Sequence, residues 1–264
     1  MAERTSAVPA TTTAAYSPSE LMVVAAAREL KDGERVLVGH GIPNLAVDLA
    51  KSLYAPNLVC LFEIGVIDTQ PGGEPGVGSA DPRLWRGAVS FRGTLEVMGT
   101  LLQRGRVDVG FLGALEVDRY GNINSTEVLT PEGRPRRFGG SGGGNDIASH
   151  ARRVIIVCRH GRQKLVERVR FLTSPGHIGP EGRLLPGGGP HRLVTDKAVL
   201  AFDGRGDLSV VSIHPGVTKQ ELVEETGCEL SFPAELPVTP PPKEADLRLI
   251  REVLDPGRQF TDAP

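Results

Sequence analysis

Arg35-Val36-Leu37-Val38-Gly39-His40-Gly41-Ile42-Pro43-Asn44 is the stretch that decides the fold. Its first four residues are an apolar, β-branched run, the glycine-bracketed histidine ends it, and Leu45 to Tyr54 continue at helical spacing. The reading is strand, glycine loop, helix. The pattern recurs downstream: Leu58 to Phe62 form a buried-looking strand that stops at Glu63, Gly65 to Pro82 are a Gly/Pro-rich loop, Leu95 to Arg104 suit a helix, and Val107 to Leu112 form another strand. Strands alternating with helices imply an α/β fold with a doubly wound, largely parallel sheet, in which ligands collect beyond the carboxyl ends of the strands. Glu63 falls in that zone.

Upstream, Ser17-Pro18-Ser19-Glu20 carries a helix start, with Ser17 as cap, Pro18 at the first helical position and Glu20 closing a capping box. Downstream, Arg153 to Cys158, Val169 to Thr173, Arg192 to Thr195, Val199 to Phe202 and Leu208 to Ile213 read as short strands between glycine turns, consistent with an antiparallel extension or layer. Thr218 and Glu221 offer a second capping box, and a proline-rich strap, Pro237 to Pro242, precedes a final helix, Glu244 to Leu254. With no internal repeat and no clear linker, residues 17–264 are expected to form one domain behind a disordered lead, residues 1–16.

Composition narrows the function classes. Across 264 residues, 39% are hydrophobic and 23% charged, as in globular proteins, and a formal net charge of -2 offers no broad attraction to nucleic acid. Cys60, Cys158 and Cys228 are widely spaced and form no CxxC pair, so reduced thiols are expected rather than a disulfide framework or zinc knuckle. No run of 18 apolar residues is available to span a membrane, and the cytoplasm is the expected location. The six histidines include no HExxH, so no metal site is expected, and each reads as a loop or surface residue. No serine lies in a GxSxG elbow.

Three segments carry chemistry. Gly39-His40-Gly41 can present amides to an anion, but it is not a full GxGxxG, since the third position falls on Asn44, and a tight turn explains it equally well. Glu63, at the end of an apolar strand, can act as nucleophile or base; taken alone, a structural ion pair is the more ordinary reading. Phe138-Gly139-Gly140-Ser141-Gly142-Gly143-Gly144-Asn145-Asp146 lets several amides converge on one oxygen, as an acyl-transfer oxyanion hole requires, and its run into Ile147-Ala148 reads as an ordered loop-to-helix transition rather than a linker. Between them, Val117 to Thr126 reads as a turn.

Taken in order, Gly39 to Asn44, Tyr54 to Asn57, Glu63-Ile64-Gly65, Val117 to Thr126, Gly139 to Asn145, Thr173 to Gly176 and Val194 to Lys197 resemble the β subunit of glutaconate CoA-transferase. The resemblance covers all but the first fifteen or so residues. It implies a CoA-transferase-like fold, Glu63 as catalytic nucleophile, and Gly39, His40, Gly41, Asn44, Gly142, Gly143, Gly144 and Asn145 as oxyanion or CoA contacts. The chain departs from the resembled pattern at Ile64, where a small or amide side chain is usual.

The function implied is transfer of CoA from an acyl-CoA donor to a carboxylic acid, dicarboxylic and glutaconate-like, through a glutamyl-CoA thioester. No cofactor is permanently bound; CoA is both substrate and covalent intermediate. An α subunit is the implied partner, assembled into a higher oligomer of αβ units, with neither nucleic acid nor membrane among the partners. Alternatives are an acyl-CoA hydrolase, decarboxylase or ring-opening hydrolase subunit on the same fold, and a non-catalytic subunit that binds CoA or a nucleotide.

Overall fold

Val36, Leu37 and Val38 are all buried, as a strand covered on both faces requires. They belong to a computed structural model that describes residues 15–72, 76, 78, 80–178, 183 and 185–261. The expected disordered lead lies outside the described residues through residue 14. The chain runs α1 (Pro18–Ala27), β1 (Arg35–Val38), α2 (Ile42–Leu53), β2 (Val59–Leu61), β3 (Val66–Ile67), β4 (Ser90–Phe91), a π-helical segment Leu95–Leu102, β5 (Val109–Gly113) and β6 (Glu116–Asp118). It continues through β7 (Ile123–Asn124), β8 (Glu127–Leu129), β9 (Pro135–Arg137), α3 (Gly144–His150), β10 (Arg153–Val157) and β11 (Leu165–Val166). The last elements are β12 (Pro190–Val194), β13 (Ala198–Phe202), β14 (Leu208–Ile213), α4 (Lys219–Glu224) and α5 (Glu244–Leu249), which passes into a π-helical turn, Ile250–Leu254.

The large sheet has the order β14-β13-β12-β10-β5-β1-β2-β3-β4. β12, β10, β5, β1 and β2 pair in parallel, and antiparallel strands extend the sheet at both ends. The expected fold class is therefore correct, but Arg153 to Cys158 and Arg192 to Thr195, expected in the antiparallel part, are the parallel strands β10 and β12, and the antiparallel pairing on that side begins only between β12 and β13. Side chains alternate between two cores with the period of a strand. Val36, Val38, Phe111 and Ile155 pack with Val23, Val24, Ala46 and Leu49 of α1 and α2. Leu37, Leu61, Leu112 and Ile156 face Val97, Leu102 and Ile147 on the other side.

From β1 the chain passes through α2 to β2, and it later returns to the opposite flank of β1 as β5. The crevice beyond the carboxyl ends of β1 and β5 is thus the topological switch point. α3 lies close enough to the sheet that a Cβ at Gly110 would stand 2.4 Å from Ile147 Cγ2. Among the described residues, no helix is long and apolar enough to cross a membrane.

The expected capping box is present: Ser17 Oγ accepts from Glu20 N at 3.1 Å, and Glu20 Oε2 accepts from Ser17 N at 2.8 Å. At Thr218 the hydroxyl accepts from Glu221 N at 3.1 Å, supplying the forward half of the second box. The expected α-helix at Leu95 to Arg104 is instead π-helical over Leu95–Leu102, with Gln103 N donating to Met98 O at 3.1 Å. The wider turn allows Val97 and Leu102, five residues apart in sequence, both to be fully buried.

Val169 to Thr173 is not a strand. The strand in this part of the chain is β11, four residues earlier and paired with β6, while Thr173 N and Ser174 N both donate to Ile123 O.

Two histidines expected at the surface or in loops are buried, His160 at 8% and His214 at 3% exposure. His214 Nε2 donates to Thr195 O at 3.0 Å, and Nδ1 meets Thr239 Oγ1 at 2.9 Å, so the neutral ring is already satisfied. Burial pushes the His214 imidazole down to about 4. Below pH ~6.5 the unfolded chain then takes up a proton that the folded chain refuses, so stability should fall with pH until about pH 4, by roughly 3 kcal/mol in total. Urea unfolding of wild type and His214→Gln across pH 4–7 checks this: that part of the slope should be missing in the variant.

Candidate active site

Glu63 projects from a tight turn in which β2 reverses into β3. Phe62 N donates to Val66 O and Gly65 N donates to Phe62 O, both at 2.9 Å, leaving Glu63 and Ile64 at the apex. Gly65 has φ +104°, and a Cβ there would stand 1.9 Å from Arg92 O, so no other residue fits. Arg92 N donates back to Gly65 O at 2.8 Å. Ile64 packs against the core formed with α1 and α2, which gives its apolar side chain a structural use. Glu63 itself is half-buried.

The glycine loop meets this carboxylate from the other side. Gly143 N donates to Glu63 Oε2 at 2.9 Å. A Cβ at Gly143 would lie 2.4 Å from the same oxygen, and one at Gly142 would lie 3.8 Å from Oε1. Gly140 and Gly142, at φ +77° and +48°, bend the loop into place.

Its back is fastened by side chains. Ser125 Oγ donates to Gly140 O at 2.8 Å, Ser125 N to Thr173 Oγ1 at 3.0 Å, and Asn145 Nδ2 to Thr173 O at 3.1 Å. The Val117 to Thr126 and Thr173 to Gly176 motifs are therefore the frame that carries the loop. Asp118 makes the turn within that frame, accepting from Tyr120 N and Asn122 N at 3.0 Å each.

The remaining expected contacts are distributed around the switch point. Extending the β1–β2 register from Leu37↔Leu61 sets Gly39 level with Glu63, and Gly39 N donates to Phe111 O at 3.0 Å. The His40 ring meets Phe260 edge-on at 5.2 Å, and burial pushes its imidazole below the usual range. His40 lines a cavity of about 260 Å³ with Met22, Ile42, Gly113, Ala114 and Arg159. Gly41, at φ +83°, precedes α2, and a Cβ there would lie 3.5 Å from the Phe260 ring. Asn44 is buried in α2, its amide 3.3 Å from Asp48 Oδ2. Gly144 N and Asn145 N are occupied within the loop, donating to Ser141 O at 2.7 Å and Ser141 Oγ at 3.3 Å.

Gly143 is thus the member of the expected amide set whose N–H meets Glu63. Ser125 supplies hydrogen bonds as a turn residue of its segment would, but the partner it fastens, Gly140 O, and the part Thr173 plays could not be read from the sequence. Sequence reading missed Met98, whose Cε would stand 3.0 Å from a Gly143 Cβ, and nothing in the local pattern marks that residue. Among the described residues, no group of three or more His, Cys, Asp or Glu could hold a metal ion.

An amide aimed at a carboxylate oxygen could stabilise charge developing there in acyl chemistry, and residues 19–225 match the family model described as Coenzyme A transferase. The chain belongs to the coenzyme A transferase family. It is 39% identical over 243 residues to the B subunit of 3-oxoadipate CoA-transferase from Pseudomonas knackmussii, covering 90% of this chain and 93% of the relative. It is 34% identical over 260 residues to the B subunit of glutaconate CoA-transferase from Acidaminococcus fermentans, covering 94% and 96%. The crystal structure of glutaconate coenzyme A-transferase from that organism superposes with a TM-score of 0.85 at 31% identity, over 96% of this chain and 100% of that one. A third relative, 32% identical over 220 residues (81% of this chain and 82% of the relative), is the cholesterol ring-cleaving hydrolase IpdB subunit of Rhodococcus jostii.

The turn geometry of this CoA-transferase chain makes a stability prediction. Gly65→Ala must displace the Arg92 carbonyl and should destabilise by more than about 2 kcal/mol. Gly113→Ala, where nothing lies within 4 Å of the added Cβ, should stay within about 1 kcal/mol of wild type. Urea midpoints of the two variants test the contrast.

Proposed function

We propose that this chain is the β subunit of a two-subunit CoA-transferase that moves CoA between dicarboxylic acids, with Glu63 as the nucleophile. The observation that carries the reading is the hydrogen bond from Gly143 N to Glu63 Oε2. The dicarboxylic class is supported by two relatives named as the B subunits of a 3-oxoadipate and a glutaconate CoA-transferase.

In the first step a Glu63 carboxylate oxygen attacks the thioester carbonyl of the donor. The tetrahedral intermediate collapses by breaking the C–S bond, giving an acyl-glutamyl anhydride and CoA thiolate. The thiolate then attacks the Glu63 carbonyl carbon and expels the donor carboxylate, leaving a glutamyl-CoA thioester. The acceptor carboxylate repeats both steps in reverse. One thioester replaces another of similar energy, so the cycle needs no ATP and no net proton transfer.

Each attack on the Glu63 carbonyl places negative charge on a glutamyl oxygen, and Gly143 N–H is the donor aimed there. The rigid Ser125–Thr173 frame keeps that amide in place without reorganisation during the step. Exclusion of water protects the anhydride and the thioester, and the companion α subunit is the surface that closes the site.

Initial-rate kinetics of the complete two-subunit enzyme test this reading. Donor and acceptor should give the parallel-line pattern of a ping-pong reaction, with a dicarboxylyl-CoA as the best donor. Glu63→Gln should lose at least about 10³-fold in kcat, and Gly143→Ala, whose methyl displaces the carboxylate, about 10²- to 10³-fold. Stoichiometric release of free CoA without acceptor would instead make the chain a hydrolase subunit.

A further inference from the structure

The loop that reaches Glu63 is continuous with a short hairpin that carries three arginines on its second side. β8 and β9 pair antiparallel, with Glu127 opposite Arg137, Val128 opposite Arg136 and Leu129 opposite Pro135. The pairing extends past both ends, since Phe138 N donates to Thr126 O and Thr130 N to Arg134 O, each at 2.8 Å. Strand alternation therefore continues from residue 134 to residue 138 and sets Arg134, Arg136 and Phe138 on one face.

The two faces differ in charge. On the opposite face, Glu127 pairs with Arg137 and Arg170 at 3.5 Å each. Among the described residues, neither Arg134 nor Arg136 is paired with a carboxylate. Glu132, at the hairpin tip, is held by Thr130, which lowers its carboxyl below the usual range. Arg136 lies over the Phe138 ring at 5.1 Å, and Phe138 is 40% exposed. A guanidinium pair beside an exposed aromatic face suits a phosphorylated nucleotide, with phosphates on the arginines and a base stacked on the ring.

Resting on the CoA-transferase reading above, we propose that the Arg134–Arg136–Phe138 face binds the phosphoadenosine diphosphate end of CoA. From Phe138 the chain reaches Gly143 in five residues, at most about 18 Å. The pantetheine arm bridges such a gap, so the thioester meets Glu63 while the nucleotide rests on the hairpin. The arrangement makes the glycine loop a bridge between recognition and chemistry: one continuous segment holds the nucleotide at its start and offers an amide to the nucleophile at its end.

The test compares an acyl-CoA with the same acyl group on pantetheine, which lacks the nucleotide, using the complete two-subunit enzyme. Arg136→Ala should raise KM for acyl-CoA roughly tenfold, and the Arg134→Ala/Arg136→Ala pair further, with kcat nearly unchanged. Phe138→Leu should raise the same KM severalfold. None of these variants should change kcat/KM for acyl-pantetheine.

Added salt should raise KM for acyl-CoA in wild type and much less in the double variant. Equal effects on both substrates, or no effect on either, would overturn the proposal. Loss of association with the companion subunit, read by gel filtration, would also overturn it and assign the face to subunit docking. Because the readout is a ratio between substrates, it holds whether the thioester is transferred or hydrolysed, and failure of Glu63 as nucleophile would be seen separately in Glu63→Gln.

Discussion

The hydrogen bond from Gly143 N to Glu63 Oε2 joins segments eighty residues apart in sequence, and much of the molecule is organised so that it can form. One partner requires β2 to end in a turn too tight for any residue but glycine at position 65, where Arg92 O occupies the space of a side chain. The other requires a loop whose backbone can approach a carboxylate directly. A single methyl on Gly143 would fill the space that Glu63 uses. Both demands are steric, and both are met by glycine.

The sheet supplies the common level at which the two segments meet. Parallel pairing of β1 with β2 and β5 brings several carboxyl ends to one edge of the sheet, and the switch of winding between β1 and β5 opens a crevice there. His40 and Gly39 stand at that edge, and Phe260, near the end of the chain, closes over His40. Asp255 anchors this closing turn by accepting from Gln259 N, Phe260 N and Thr261 N. The final residues of the described chain thus contribute to the same region as the first strand.

What could be read from the sequence follows from how local each signal is. β1, α2 and β14 were legible because apolar run and glycine punctuation lie within a few adjacent residues, and the Ser17–Glu20 box because both partners sit three residues apart. The π-helical register at Leu95–Leu102 was not legible, since it arises from burying Val97 and Leu102 against a sheet formed by distant strands. Val169 to Thr173 has strand-like composition, yet Thr173 and Ser174 bind the Ile123–Ser125 segment instead of joining a ladder. His160 and His214 do lie in loops, but their burial was not legible because the threonines that satisfy them lie far away in sequence. For the candidate site, the acid and the glycine loop were visible as separate motifs, while their contact, and the choice of Gly143 among the amides, required the fold.

Whether the Glu63 carboxylate carries CoA during turnover can be read from the intact mass of each subunit after brief exposure to a dicarboxylyl-CoA. This chain should gain the mass of CoA less water, mapped to the peptide containing Glu63 and absent in Glu63→Ala. An adduct on the companion subunit, or turnover without any adduct in the variant and wild type alike, would contradict Glu63 as the carrier.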